Sequence, residues 1–130
     1  MLNMEIIFSG NKKVDAVFNG QVIKTDQPVS SGGNGSAPAP FDLFLASIGT
    51  CAGIYVLGFC QARGILTDGI KIIQKMSYNF QTRLIDKIEL EIVLPPNFPE
   101  KYKNAVINAA DNCAVKKHLI NPPEIIVTTN

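Results

Sequence analysis

The sequence predicts a single α+β domain spanning residues 1–130, and three observations carry that expectation. Runs with the two-residue period of strands stand on both sides of one long uncharged segment, residues 43–60, LFLASIGTCAGIYVLGFC. Two proline pairs, Pro95-Pro96 and Pro122-Pro123, punctuate the C-terminal half. A length of 130 residues suits one domain, and no repeat divides it. The expected order is a three-stranded meander, a long buried central helix, two further long strands, a helical pair and a final strand.

Each element has its own warrant. Leu2, Met4, Ile6 and Phe8 alternate with Asn3, Glu5, Ile7 and Ser9, and Val14, Ala16 and Phe18 continue the pattern. Asn19-Gly20 then gives a strong short hairpin signal, because both residues tolerate positive φ. Residues 21–25 return as the third strand. Residues 26–40, DQPVSSGGNGSAPAP, read as a mobile surface loop rich in Gly, Pro and Ser. Their GGNG lacks the Lys-Ser/Thr that would grip a phosphate.

Pro40 suits the first position of a helix, Asp42 places a carboxylate in its first turn, and Gly64 is a natural stop after Arg63. That helix is apolar nearly all round and needs cover on every side. A chain this small has few elements to supply it, so a second subunit is expected to complete the cover. Eighteen uncharged residues touch the lower limit for a membrane span. Ser47, Gly49, Thr50, Gly53 and Gly58, together with the strand-like flanks, favour a buried core helix over a span in a membrane.

Further on, Ile70, Ile72, Met76, Tyr78 and Phe80 share one strand face, as do Ile88, Leu90, Ile92 and Leu94 on the next, with the turn near Thr82-Arg83. Asn97 is a candidate cap for a helix starting near Pro99. Tyr102, Ala105, Val106 and Ala109 follow at helical spacing, and residues 124–128 form a final β-rich run.

Composition narrows the function classes. A net charge of +1 without a dense Lys/Arg stripe argues against a nucleic-acid surface. The first ten residues show no basic leader with a long apolar core, and three cysteines do not form a disulfide framework, so a cytoplasmic protein with reduced thiols is expected. His118 is the sole histidine, and its spacing from the cysteines matches no metal motif, so neither metal nor cofactor is expected.

Two thiols stand out. Cys51 lies inside the uncharged helix, and Cys113 lies at a polar-to-basic junction, NAADNCAVKKHL. Asp111 or Asn112 can cap a short helix there, placing Cys113 in its first turn, with Lys116 and Lys117 following. Helix N-termini and neighbouring cations favour thiolates, whereas Asp111 opposes that. Cys60 is nine positions after Cys51, about 900° of rotation and about 13 Å of rise along a helix, so it faces away and reads as packing. Taken alone, either Cys51 or Cys113 also reads as a buried inert thiol.

Residues 32–65, GGNGSAPAPFDLFLASIGTCAGIYVLGFCQARGI, resemble the first-cysteine helix of the OsmC/Ohr family, the osmotically inducible and organic-hydroperoxide-resistance proteins. NCAVKKHL resembles the family's second-cysteine helix start, with Ala114 where proline is usual. The resemblance covers nearly the whole chain. It implies an OsmC-like fold assembled as an intertwined homodimer with the long helices at its centre. It further implies that Cys51 attacks an organic hydroperoxide, that Cys113 resolves the sulfenate to a disulfide, and that a dithiol reductant restores both. The well-studied branches pair an early arginine with a glutamate after the helix-opening proline. Here the only arginines are Arg63 and Arg83, and Phe41 follows Pro40, with Asp42 one residue later. Lys12, Lys13 or Lys24 would stand in for the arginine, and Asp42 for the glutamate. A non-catalytic dimer that binds an apolar small molecule or senses redox state is the alternative.

Overall fold

The computed structural model describes residues 2–130. The chain divides into two compact units, residues up to 46 and residues 47–130, with the division falling inside the long helix.

The first unit is an antiparallel meander, β1 (Glu5–Gly10), β2 (Lys13–Phe18) and β3 (Gln21–Ile23), in the order β1-β2-β3. Asn19 and Gly20 adopt φ of 50° and 73°, the positive pair that a two-residue hairpin turn demands. Residues of β1 are exposed along its length, Phe8 at 87%, and those of β2 are half-buried. The meander therefore buries little apolar surface of its own.

Residues 26–40 depart from the expectation of an unfastened loop. Asp26 is closed to solvent and gathers the chain around its carboxylate. Backbone N–H groups of Gln27 (2.7 Å) and Ser36 (3.1 Å), with the Ser36 hydroxyl (2.6 Å), donate to it, and Asn34 N–H adds a longer contact at 3.3 Å. Val29–Ser31 forms a single 3-10 turn inside the loop. From the β1–β2 turn, the Asn11 amide donates to Gly32 O and to Asn34 Oδ1. A buried carboxylate must be paired or hydrogen-bonded, and four N–H and O–H donors meet that requirement without a cation.

Helix α1 (Pro40–Ala62) starts on Pro40 as expected. At its other end Gly64 takes φ 65°, Gly64 N–H donates to Gln61 O and Ile65 N–H to Cys60 O, a pair of bonds that satisfies the last carbonyls. In the second unit β4 (Lys71–Asn79) and β5 (Leu84–Val93) form a two-stranded antiparallel sheet with a bulge at Ser77/Tyr78. Arg83, at φ 60°, makes the turn. A 3-10 turn (Glu100–Tyr102) then leads into α2 (Lys103–Asp111), and α3 (Ala114–Ile120) follows. Asn97 does not cap α2, because the intervening turn moves the helix start to Lys103.

The core lies in this unit. Ile48, Ala52, Val56 and Cys60 recur every four residues and form the buried stripe of α1. Ala52, Val56 and Cys60 pack with Phe98, Val106 and Ala110, bordered by Ile72, Leu90 and Ile92 from the sheet. Among the described residues only that stripe of α1 is fully buried: Ile54 remains 59% exposed and Tyr55 38%. α1 is the one helix among the described residues long and apolar enough to cross a membrane by length and composition. The β-rich run at residues 124–128 pairs with no strand among the described residues; Ile125, Ile126 and Val127 are all exposed.

Candidate functional site

Three thiols, all free, occupy three different settings. Cys60 is fully buried in the core, and desolvation pushes its thiol above the ordinary range, opposed by the Arg63 charge. This is the inert packing role that its helical offset from Cys51 predicts. Arg63 itself is committed nearby, with its guanidinium 3.7 Å from the Phe59 ring centroid and donating to Phe59 O.

Cys51 is half-buried on α1. At 100° per residue it sits on the shoulder of the Ile48/Ala52 stripe, which explains its partial cover. Cys113 is 2% exposed and plays a part that the sequence reading assigned to Asp111 or Asn112. It is itself the residue that caps α3: its backbone is extended, at φ −68° and ψ 147°, and Lys116 N–H donates to its Sγ at 3.3 Å. Sulfur is a weak acceptor and lies outside the usual cap chemistry, so the pattern of preferred cap residues points to its neighbours instead. Asp111 ends α2, and its carboxylate pairs with the Lys116 ammonium across the cap.

Cys113 lies on the wall of a cavity of about 580 Å³. Ile88, Leu90, Ile92 and Leu94, alternate residues of β5 and the position beyond it, make one side. Ile48 and Ala52 of α1 contribute another, and Ile107, Ala110 and Leu119 line it from α2 and α3. Four charged side chains join this wall, and each is paired: Lys103 with Glu100 at 2.8 Å, Glu91 with Lys75 at 3.3 Å, and Lys116 with Asp111. Among the described residues Cys51 is not on the wall, although its helical neighbours Ile48 and Ala52 are.

The supporting residues fall in the first unit. Lys12 stands at the β1–β2 turn, its Cε 3.4 Å from where a side chain on Gly32 would begin. Lys13 opens β2 and Lys24 follows β3. Asp42 works as a cap, its Oδ2 accepting Ala39 N–H at 3.4 Å. His118 turns its ring Nδ1 toward Ala114 O at 2.7 Å on the exposed side of α3, a helix-end role. Among the described residues no group of three His, Cys, Asp or Glu side chains could hold a metal ion. Sequence reasoning missed Asp26, whose carboxylate organises residues 27–36; its bonding partners at 34 and 36 leave no local motif.

The sequence model of OsmC-like proteins matches residues 33–128. The chain belongs to the OsmC-like protein family. No curated protein sequence matches it. Solved structures share the fold at low identity. A Psychrobacter arcticus protein named for osmotic stress induction and detoxification response superposes with a TM-score of 0.73 at 22% identity, over 90% of this chain and 87% of that one. An OsmC-like protein from Mycoplasma pneumoniae gives 0.70 at 13%, over 94% and 89%. An organic hydroperoxide resistance protein OsmC from Legionella pneumophila gives 0.53 at 16%, over 92% and 90%. The OsmC-like α+β architecture expected from the sequence is thus the architecture found, with antiparallel strands and three helices.

Proposed function

We infer that this OsmC-like protein reduces organic hydroperoxides by thiol chemistry. The Cys51 thiolate attacks the distal oxygen of the hydroperoxide, the O–O bond breaks, and the alcohol leaves after taking a proton. The resulting Cys51 sulfenic acid is attacked by the Cys113 thiol, which forms a disulfide and releases water. A dithiol supplies the two electrons that restore both thiols. A cytoplasmic setting, where thiols are kept reduced, suits this cycle. Lys12, Lys13 and Lys24 are the candidate cations for the thiolate and Asp42 the candidate carboxylate.

The observation that carries the reading is Cys113, nearly closed to solvent on an aliphatic wall beside the α1 residues that bracket Cys51. The Legionella relative's name adds a hydroperoxide association. A homodimer belongs to the same reading, since the exposed α1 side chains Phe41, Ile54 and Tyr55 and the exposed Ile6 and Phe8 of β1 need cover that one chain does not give them. Turnover of tert-butyl hydroperoxide with a dithiol, compared across wild type, Cys51→Ser and Cys113→Ser, tests it. Cys51→Ser abolishes turnover and Cys113→Ser lets the sulfenate accumulate. Undiminished turnover in Cys51→Ser rules the cycle out.

A second reading rests on the absence of Cys51 from the cavity wall. On it, the dimer binds an apolar small molecule, or senses redox state, without turning over a substrate. Peroxide consumption at background levels, together with saturable ligand binding, distinguishes the two.

A further inference from the structure

Two Asn-Gly dipeptides occur in the chain, Asn19-Gly20 and Asn34-Gly35, and all four residues are exposed. In such a dipeptide the backbone nitrogen reaches the preceding side-chain amide with least hindrance, because glycine has no Cβ to block the approach. Exposure does not separate the two pairs, but hydrogen bonding does. Asn34 N–H donates to Asp26 Oδ2 at 3.3 Å, and Asn34 Oδ1 accepts from the Asn11 amide at 3.1 Å. Gly35 N–H, on the nitrogen that would have to attack, donates to Gln27 O at 3.0 Å. Among the described residues neither the Asn19 side chain nor Gly20 N–H has such a partner. We propose that Asn19-Gly20 is a site of spontaneous deamidation, with water as its only co-reactant, and that the loop bonded to Asp26 and Asn11 shields Asn34-Gly35 from the same reaction.

The chemistry needs nothing beyond the chain and solvent. The Gly20 nitrogen attacks Asn19 Cγ and forms a C–N bond. The Cγ–Nδ2 bond breaks, and ammonia leaves with the proton that Gly20 gives up. Water then opens the succinimide at one of its two carbonyls, giving aspartate or isoaspartate with no change of oxidation state. Ring closure requires the turn to rotate out of its native geometry, in which Asn19 and Gly20 hold φ of 50° and 73°. The hairpin is built to open that far. β3 is three residues long and stands at the edge of its sheet, with Val22 53% and Ile23 42% exposed, so local opening releases little buried surface. Isoaspartate then adds a backbone methylene inside a two-residue turn, which works against the Phe18↔Gln21 register. Either product replaces a neutral amide with a carboxylate and takes the net charge from +1 to 0.

The test uses the wild-type chain. The protein is incubated at pH 8, and peptide mapping by mass spectrometry follows deamidation at both sites. Asn19 should deamidate at least roughly tenfold faster than Asn34, because several hydrogen bonds must open together before Asn34 can react. In denaturing urea those bonds are gone, and the two rates should come within roughly threefold of each other. Asn11→Gly keeps the positive φ of that position accessible while removing both Asn11 side-chain bonds. It should speed Asn34 deamidation at least roughly threefold and leave Asn19 unchanged. Equal rates at the two sites in the folded protein, a faster Asn34, or a preference that persists undiminished in urea overturns the proposal. An Asn34 rate that Asn11→Gly does not raise overturns the shielding assigned to Asn11.

Discussion

Gly33→Ala is a sharp test of how residues 27–36 are built. A Cβ at Gly33 would lie 1.9 Å from Gln27 O, 2.5 Å from Gln27 C and 2.8 Å from Gln27 Cα. All three are backbone atoms, so no side chain can swing away. Ordinary van der Waals contact begins at 3.4 Å, and the two segments must separate by about 1.5 Å to accept one methyl group. Gln27 O also accepts Gly35 N–H at 3.0 Å, a bond that this separation breaks. Overpacking costs about 1–3 kcal/mol and the lost hydrogen bond about 1 kcal/mol, giving about 2–4 kcal/mol in total. For a domain of this size that corresponds to a Tm lower by roughly 6–15 °C. Gly49→Ala provides the contrast, since its Cβ would meet only Gln74 Oε1, the tip of a flexible side chain, at 2.5 Å. The helical gain of alanine over glycine offsets that clash to within about 1 kcal/mol. Thermal melts of both variants decide the matter. A Gly33→Ala protein that melts within 2 °C of wild type, or a Gly49→Ala protein that loses as much stability as Gly33→Ala, refutes the reasoning.

Hydrogen bonds hold the Asp26 carboxyl at about 2 against an ordinary 3.8, first from the Ser36 hydroxyl and then from backbone N–H groups. A carboxyl lowered on folding stabilises fully above the unfolded value and loses that contribution as pH falls from about 4 through about 2. The Tm difference between wild type and Asp26→Asn should therefore be constant above pH 5 and shrink below pH 4. A difference unchanged down to pH 2.5 contradicts this. Cys60, raised by burial, should be the slowest of the three thiols to react with iodoacetamide at pH 7.5, as read by peptide mapping. Val106→Ala removes two methyl groups from a fully buried site, and urea melts should show a loss of about 2–3 kcal/mol.

What the sequence made legible was whatever depends on neighbours along the chain. Asn19-Gly20 announces its turn because positive φ is a property of those two residues alone. Pro40 and Gly64 likewise mark the ends of α1 by their own backbone preferences, and Ile88, Leu90 and Ile92 of β5 reach the cavity wall as their period requires. What stayed hidden depends on residues meeting across the chain. Asp26 looks like any loop aspartate until Asn34 and Ser36 return to it. Residues 124–128 have strand composition, but composition does not supply an edge to pair with. The uniform apolarity of α1 announced that one chain would leave part of it uncovered, but it did not single out the buried stripe, Ile48, Ala52, Val56 and Cys60, from the other faces.

Cys51 and Cys113 show the same division: their contrasting contexts are legible in the sequence, whereas the cap bond and the cavity wall at Cys113 are not. Cys113 accepts Lys116 N–H at the start of α3 and lines an aliphatic space. Cys51 stands half-buried on the shoulder of α1, about 100° round from Ala52. A disulfide between them requires Cα atoms within about 4.4–6.8 Å, so its formation measures how closely that shoulder and the start of α3 approach during the reaction. The Cys113 cap is the part able to yield, since a sulfur acceptor holds its N–H partner weakly and α3 is only seven residues long. Oxidation by one equivalent of tert-butyl hydroperoxide should thus produce a Cys51–Cys113 disulfide, with faster amide exchange at Lys116 as the cap is lost. If the disulfide forms while Lys116 exchange is unchanged, release of the cap is not the motion that joins the two thiols.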